Sequence, residues 1–98
     1  MSDSIKVVAR VVITPGKEEV FEKNAVALCA ATRLEEGCLS YHLFRNPAQT
    51  GVYVFVEDWA SHQIWQHHMD GEALRIFNAR LPAGTIANIE IHPLLPVA

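Results

Sequence analysis

"CLSYHLFRNPAQTGVYVFVEDW", Cys38 to Trp59, reads as two strands joined by a turn. Both arms are rich in β-branched and aromatic residues, and Asn46, Pro47 and Gly51 mark the bend between them. The pattern predicts a hairpin of Cys38–Arg45 against Val52–Trp59. In the second arm Tyr53, Phe55, Glu57 and Trp59 point one way, and Val52, Val54 and Val56 point the other. A sheet with one wet face alternates apolar with polar residues, and this arm mostly does not.

Working outward, Ile5 to Ile13 ("IKVVARVVI") is a β-branched run stopped by Thr14, Pro15 and Gly16, hence a first strand and a turn. Lys17 to about Leu34 has helical composition, with Val20, Phe21, Asn24, Leu28 and Ala31 on one face and Gly37 at its stop. Beyond the hairpin, Ser61 can cap a helix running to about Met69. Gly71 interrupts it, and a second helical stretch covers Glu72 to Leu81 before Pro82 and Gly84. Ile86 to about His92 is the last strand, with Pro93 and Pro96 closing the chain. The order is β-α-β-β-α-β in one domain over residues 1–98: an α+β, ferredoxin-like arrangement with an antiparallel sheet. The first strand is also apolar on both sides, with Val8 and Val12 among Lys6 and Arg10 on the face opposite Ile5, Val7, Ala9, Val11 and Ile13. Helices cover one face only, so a second copy of the chain is the expected cover for the other.

The totals narrow the function classes. The chain has 98 residues, half of them apolar and 19% charged, with a net charge of −3, which is a globular composition. It has no basic run, so nucleic acid is not an expected partner. No stretch approaches the ~20 apolar residues of a membrane-spanning helix. The opening "MSDSIKVV" lacks the order of a signal peptide, and Cys29 and Cys38 form no C-x-x-C pair, so the expectation is cytoplasmic with reduced thiols.

The chemistry-bearing residues cluster after the hairpin. On a helix beginning after Ser61, His68 shares a face with Ile64 and Trp65, while His67 is turned ~100° away. His68 is either a pocket histidine able to move a proton near neutral pH or a core-edge histidine bonded to backbone. His62, His67 and His68 miss the i,i+4 spacing of helical metal ligands, so no metal is expected. Asn24, Glu57 and Arg10 are polar groups on apolar surfaces, and such groups are costly to bury without partners. They suit a ligand pocket or each other equally. Tyr41 carries a phenol on an apolar body. Gly-rich phosphate loops and a G-x-S-x-G elbow are absent, which disfavours nucleotide binding and serine hydrolysis.

"EEGCLSYHLFRNP" (Glu35 to Pro47) followed by "VFVEDWASHQIWQHH" (Val54 to His68) resembles the antibiotic biosynthesis monooxygenase family, quinol monooxygenases included. The shared pattern is E-x-G-C-x-x-Y, a strand ending E-x-W-x-S, and a histidine nine residues after the tryptophan: Glu35, Gly37, Cys38, Tyr41, Glu57, Trp59, Ser61 and His68. The resemblance implies a dimeric α+β barrel with a cavity in each subunit between sheet and helices. It also implies, for some members, oxygenation of an electron-rich phenol or quinol without metal or flavin. Ala73 stands where members often carry a second histidine, and Ala9 where haem-degrading relatives carry asparagine, which argues against haem breakdown.

The expectation is therefore a cofactor-independent monooxygenase acting with O₂ on a quinol-like or polycyclic phenolic molecule, as a homodimer. His68, Glu57 and Asn24 are the candidate catalytic residues, and Trp59, Trp65, Tyr41, Phe77 and Arg10 the candidate substrate-binding ones. The rivals are an isomerase of a small metabolite on the same fold and a binding or stress-response dimer without turnover.

Overall fold

The computed structural model describes residues 4–98; the opening Met1 to Asp3, read above as lacking a leader, lies outside them. Three of the predicted strands form where expected: β1 (Ile5–Ile13), β2 (Cys38–Arg45) and β3 (Val52–Trp59). They and β4 (Ile86–Leu94) make one antiparallel sheet in the order β2-β3-β1-β4. With α1 (Glu18–Thr32), α2 (His62–Met69) and α3 (Glu72–Arg80), this is the ferredoxin-like βαββαβ fold with its second helical region in two pieces. The strand β4 runs through Pro93, which pairs opposite Val7. An edge strand tolerates proline because one row of its backbone groups has no ladder partner to lose.

Register separates the two faces. Val7 stands opposite Glu57, Ala9 opposite Phe55 and Val11 opposite Tyr53, and all six are buried under the helices. Lys6, Val8, Arg10 and Val12 stand opposite Asp58, Val56, Val54 and Val52 on the outer face. There Val8, Val54 and Val56 are half-buried and Phe44 is 56% exposed, so one chain leaves this apolar surface uncovered.

The helix α1 is turned from its expected seating. Its buried residues are Phe21, Ala25, Leu28, Cys29 and Thr32; Val20 and Asn24 lie at the flank and Ala31 is exposed. Phe21 and Leu28 belong to both stripes, so apolar spacing alone did not discriminate between them. The stripe that wins is lined by small side chains, which let the helix approach the sheet closely. The ring of Phe21 then lies 4.8 Å from that of Tyr53 and 6.2 Å from that of Phe77.

The helix stops at Thr32, and Gly37 belongs to the turn into β2 rather than to the helix end. Its φ is +84°, and a Cβ there would lie 2.6 Å from the side chain of Ile64 on α2. The Gly37 carbonyl also accepts from the backbone N–H of Ala60 at 2.9 Å. Gly37→Ala is expected to cost about 1–2 kcal/mol for the left-handed backbone alone, with a further loss as Ile64 is displaced. Urea denaturation checks this, and an unchanged midpoint would contradict it.

Candidate functional site

The helix α2 begins where predicted. Ser61 is extended, and its hydroxyl accepts from the N–H of Ile64 at 3.1 Å. That cap sets the helix rotation, so Trp65 and His68 face the sheet and His67 faces solvent. His68 is 3% exposed. Its ring lies 4.6 Å from that of Trp59, tilted by 32°, and 5.5 Å edge-on from that of Tyr41. Its Nδ1 is 2.9 Å from Oε1 of Glu35, a residue on the turn between α1 and β2. A carboxylate at Nδ1 holds the proton on that nitrogen and leaves the Nε2 lone pair free. Burial pulls the His68 pKa below its ordinary value, although the hydrogen bond and charge of Glu35 pull the other way. The resting ring is therefore neutral at pH 7, the form a proton acceptor needs.

A cavity of about 160 Å³ lies beside this histidine, between sheet and helices. Tyr41, Phe55, Glu57, His68 and Phe77 form its buried wall with the half-buried Leu74, and the exposed Met69, Asn78, Ile89 and Ile91 mark its mouth. Larger surface grooves of about 670 and 600 Å³ contain neither His68 nor Glu57. The first of them does contain Glu35, whose side chain is 28% exposed. Glu35 thus joins the buried imidazole to solvent on the side away from the cavity.

Glu57 is 5% exposed, and its Oε1 accepts from Nε1 of Trp59 at 2.9 Å. Burial raises its pKa to about 7; the indole hydrogen bond opposes this and the charge of Glu35 adds to it. An unfolded glutamate gives up its proton near 4.5, before the folded Glu57 does, so stability falls as pH rises from about 4.5 to about 7. The contribution is fully present below that window and lost above it. Glu57→Gln keeps an acceptor for Trp59 and removes the titration. From pH 5 to pH 8 the wild type is expected to lose on the order of 2–3 kcal/mol more stability than Glu57→Gln. Urea melts of both proteins at the two pH values test this, and parallel pH curves would refute it.

The structure brings Tyr41, Glu57, His68 and Phe77 to one cavity, and not the other candidates. Trp59, fully buried, stands behind the wall, where it stacks on His68 and bonds Glu57. Trp65 packs in the core and does not line the cavity. Asn24 donates to the Val20 carbonyl one turn back at 2.9 Å, in a separate groove between α1 and α3. Its position follows from the turned seating of α1. Arg10 lies on the outer face of the sheet, because strand alternation puts it opposite Val54 and Glu90 rather than beside Ala9 and Phe55. Glu57 holds Trp59 and not His68. The residue that holds His68 is Glu35, which spacing does not reveal; the E-x-G-C-x-x-Y pattern was its only signal in the sequence.

Comparison with known proteins bears on the family and the fold. A family model described as antibiotic biosynthesis monooxygenase matches residues 4–80. The chain belongs to that family. Among solved structures, an antibiotic biosynthesis monooxygenase-like protein of Caulobacter crescentus, described only as a candidate for that activity, is 31% identical with a TM-score of 0.88. The match covers 99% of this chain and 92% of that one. A protein from Pseudomonas aeruginosa is 28% identical with a TM-score of 0.89, covering 100% of this chain and 98% of that one. One from Mycobacterium tuberculosis, at 22% identity and a TM-score of 0.85 over 97% of this chain and 96% of that one, shares the fold. A comparison with curated proteins finds no match. Among the described residues, no helix of this family member is long and apolar enough to cross a membrane.

Proposed function

We propose that this chain is a cytoplasmic, cofactor-independent monooxygenase that uses O₂ to oxygenate a phenolic or hydroquinone-type small molecule. The observation that carries this reading is His68: a buried imidazole whose Nδ1 is held by Glu35 and which lines an aromatic-walled cavity.

Cofactors usually supply hard redox chemistry. A hydroquinone that loses a proton becomes an electron-rich anion able to reduce O₂ itself. His68 Nε2 takes that proton, and the Nδ1–H bond to Glu35 spreads the resulting charge toward the solvent-facing groove. The anion passes one electron to O₂, and the two radicals combine at a ring carbon beside the ionised oxygen. His68 returns its proton to the peroxide. The O–O bond then breaks as the C–H proton on that carbon leaves. One oxygen atom remains as a carbonyl, the other departs as water, and the product is a hydroxyquinone. The sum is hydroquinone plus O₂ giving hydroxyquinone plus H₂O, with four electrons passed from ring to oxygen. The dry walls keep the anion from re-protonation by bulk water.

The uncovered outer face of the sheet supports a homodimer, in which two chains pack Val8, Val54, Val56 and Phe44 against their counterparts as a dimeric α+β barrel. Light scattering is expected to give twice the chain mass at micromolar concentration, and a clean monomer would refute the barrel. The activity is tested by O₂ uptake with a reduced quinone in chelated, flavin-free buffer containing ¹⁸O₂. One labelled atom in the product and one in water are expected. Uptake no faster than spontaneous oxidation would overturn the reading, and product formed without oxygen would favour an isomerase.

A further inference from the structure

We propose that the buried part of this site admits one aromatic ring and no more, and that its substrate is a single-ring dihydroxybenzene held at two points, His68 Nε2 and the Glu57 carboxyl group. The proposal rests on the reading above of His68 as the base, and narrows it: the fused rings of a polycyclic phenol do not fit together within the buried part.

Size is the first argument. The cavity measures about 160 Å³. An apolar cavity of about 150 Å³ in an unrelated protein holds benzene, whereas pockets for drug-sized molecules run to about 300–1,000 Å³. One six-membered ring with its oxygens fills the space here, and a second fused ring does not fit beside it. The wall cannot easily yield. Tyr41, Phe55 and Phe77 are all buried, and the ring of Tyr41 packs 5.6 Å from that of Phe55 and 6.2 Å from that of Trp59. Displacing any of them disturbs a close-packed aromatic cluster. Substituents have one direction to go, outward past Met69, Ile89 and Ile91, whose exposed apolar surface suits an alkyl group.

Polarity is the second argument. The wall is apolar apart from a few groups, of which Tyr41, His68 and Glu57 are more than nine-tenths buried and ionisable; burial raises the Tyr41 phenol further above its ordinary value and keeps it un-ionised, which leaves His68 and Glu57 as the proton-accepting pair. They make no hydrogen bond to each other: His68 is bonded to Glu35 and Glu57 to Trp59. Each therefore has capacity left for a guest, the ring through Nε2 and the carboxyl through Oε2. Two separated proton acceptors on one small cavity call for two hydroxyl donors on one ring. A hydroquinone supplies two hydroxyl donors, one to ionise at His68 and one to bond Glu57. A phenol with one hydroxyl leaves a buried acceptor unpaired.

The test is anaerobic binding, read by quenching of tryptophan fluorescence, for methylhydroquinone, 1,4-naphthohydroquinone and 4-methoxyphenol. Methylhydroquinone is expected to bind at least about tenfold more tightly than either of the others. Phe77→Ala and, separately, Leu74→Ala enlarge the cavity and are expected to shift the preference at least about tenfold toward the two-ring compound; Leu74 is only half-buried, so one variant survives if the other fails to fold. Equal or tighter binding of naphthohydroquinone by the wild type overturns the one-ring limit. Equal binding of 4-methoxyphenol overturns the two-point contact. No binding of methylhydroquinone overturns both. Because oxygen is absent, these outcomes do not depend on turnover: a one-ring preference without O₂ uptake in air would preserve this inference and remove the monooxygenase.

Discussion

His68→Ala is expected to lower kcat for hydroquinone oxygenation by about 10²–10⁴-fold, the usual contribution of a positioned proton acceptor. The fold should survive, because His68 is held by one hydrogen bond and ring contacts rather than by the main aliphatic core. The wild-type pH profile carries the same signature. Burial lowers the His68 pKa, so the ring is neutral and competent above that pKa and is protonated, and so blocked, below it. Activity should therefore fall on the acid side as His68 is protonated, with that limb below the ordinary imidazole value. Glu35→Gln retains an acceptor at Nδ1 but removes the charge that supports the imidazolium, so a loss smaller than that of His68→Ala is expected, and in kcat rather than KM. Stopped-flow O₂ consumption with each variant measures all of this. Wild-type turnover in His68→Ala would remove the imidazole from the chemistry.

Trp59 carries the largest expected effect on stability. It is fully buried at the end of β3, stacks on His68, meets Tyr41 edge-on at 6.2 Å, and donates to Glu57. Trp59→Ala loses the buried indole, about 3–5 kcal/mol, and strips Glu57 of its donor, a further ~1–3 kcal/mol. A domain of this size has about 5–15 kcal/mol in total, so the loss is a large share of the whole. Trp59→Phe separates the two causes. It keeps an aromatic ring against His68 and loses the hydrogen bond, for an expected loss of about 1–3 kcal/mol. Urea melts at one fixed protein concentration give both values, since the stability of the proposed dimer would depend on concentration. Equal losses for Trp59→Ala and Trp59→Phe would show that the indole N–H, and not the ring, is what β3 supplies to the site.

Much of this architecture was legible in the sequence because it is local. The hairpin ends at Cys38, Arg45, Val52 and Trp59 coincide with the observed strands, since turn residues and β-branched runs act over neighbouring positions. Ser61 caps α2 as predicted for the same reason. Once that cap was placed, helical spacing put Trp65 and His68 inward and His67 outward. The seating of α1 was not legible. Two overlapping stripes on that helix are both apolar, and packing against Tyr53 and Phe77 chooses between them. Asn24 left the expected site with that choice. Alternation puts Arg10 on the face opposite Ala9, but only the register that pairs Ala9 with Phe55 shows that this is the far face from Glu57.

Strand and helix periods in the chain were sufficient to dictate the element order, the two apolar faces of the sheet, and a histidine turned inward beside a tryptophan. These are properties of consecutive residues, where the backbone alone sets direction. The site required the folded molecule. Glu35 and His68 are 33 positions apart and meet only because α1, the Gly37 turn and α2 converge, with no side chain at Gly37 to push Ile64 away. The cavity of about 160 Å³ is a small remainder between packed surfaces, and such a remainder depends on how every wall residue seats. Partnering at long range and leftover volume are outcomes of packing, and no spacing rule along one chain encodes them.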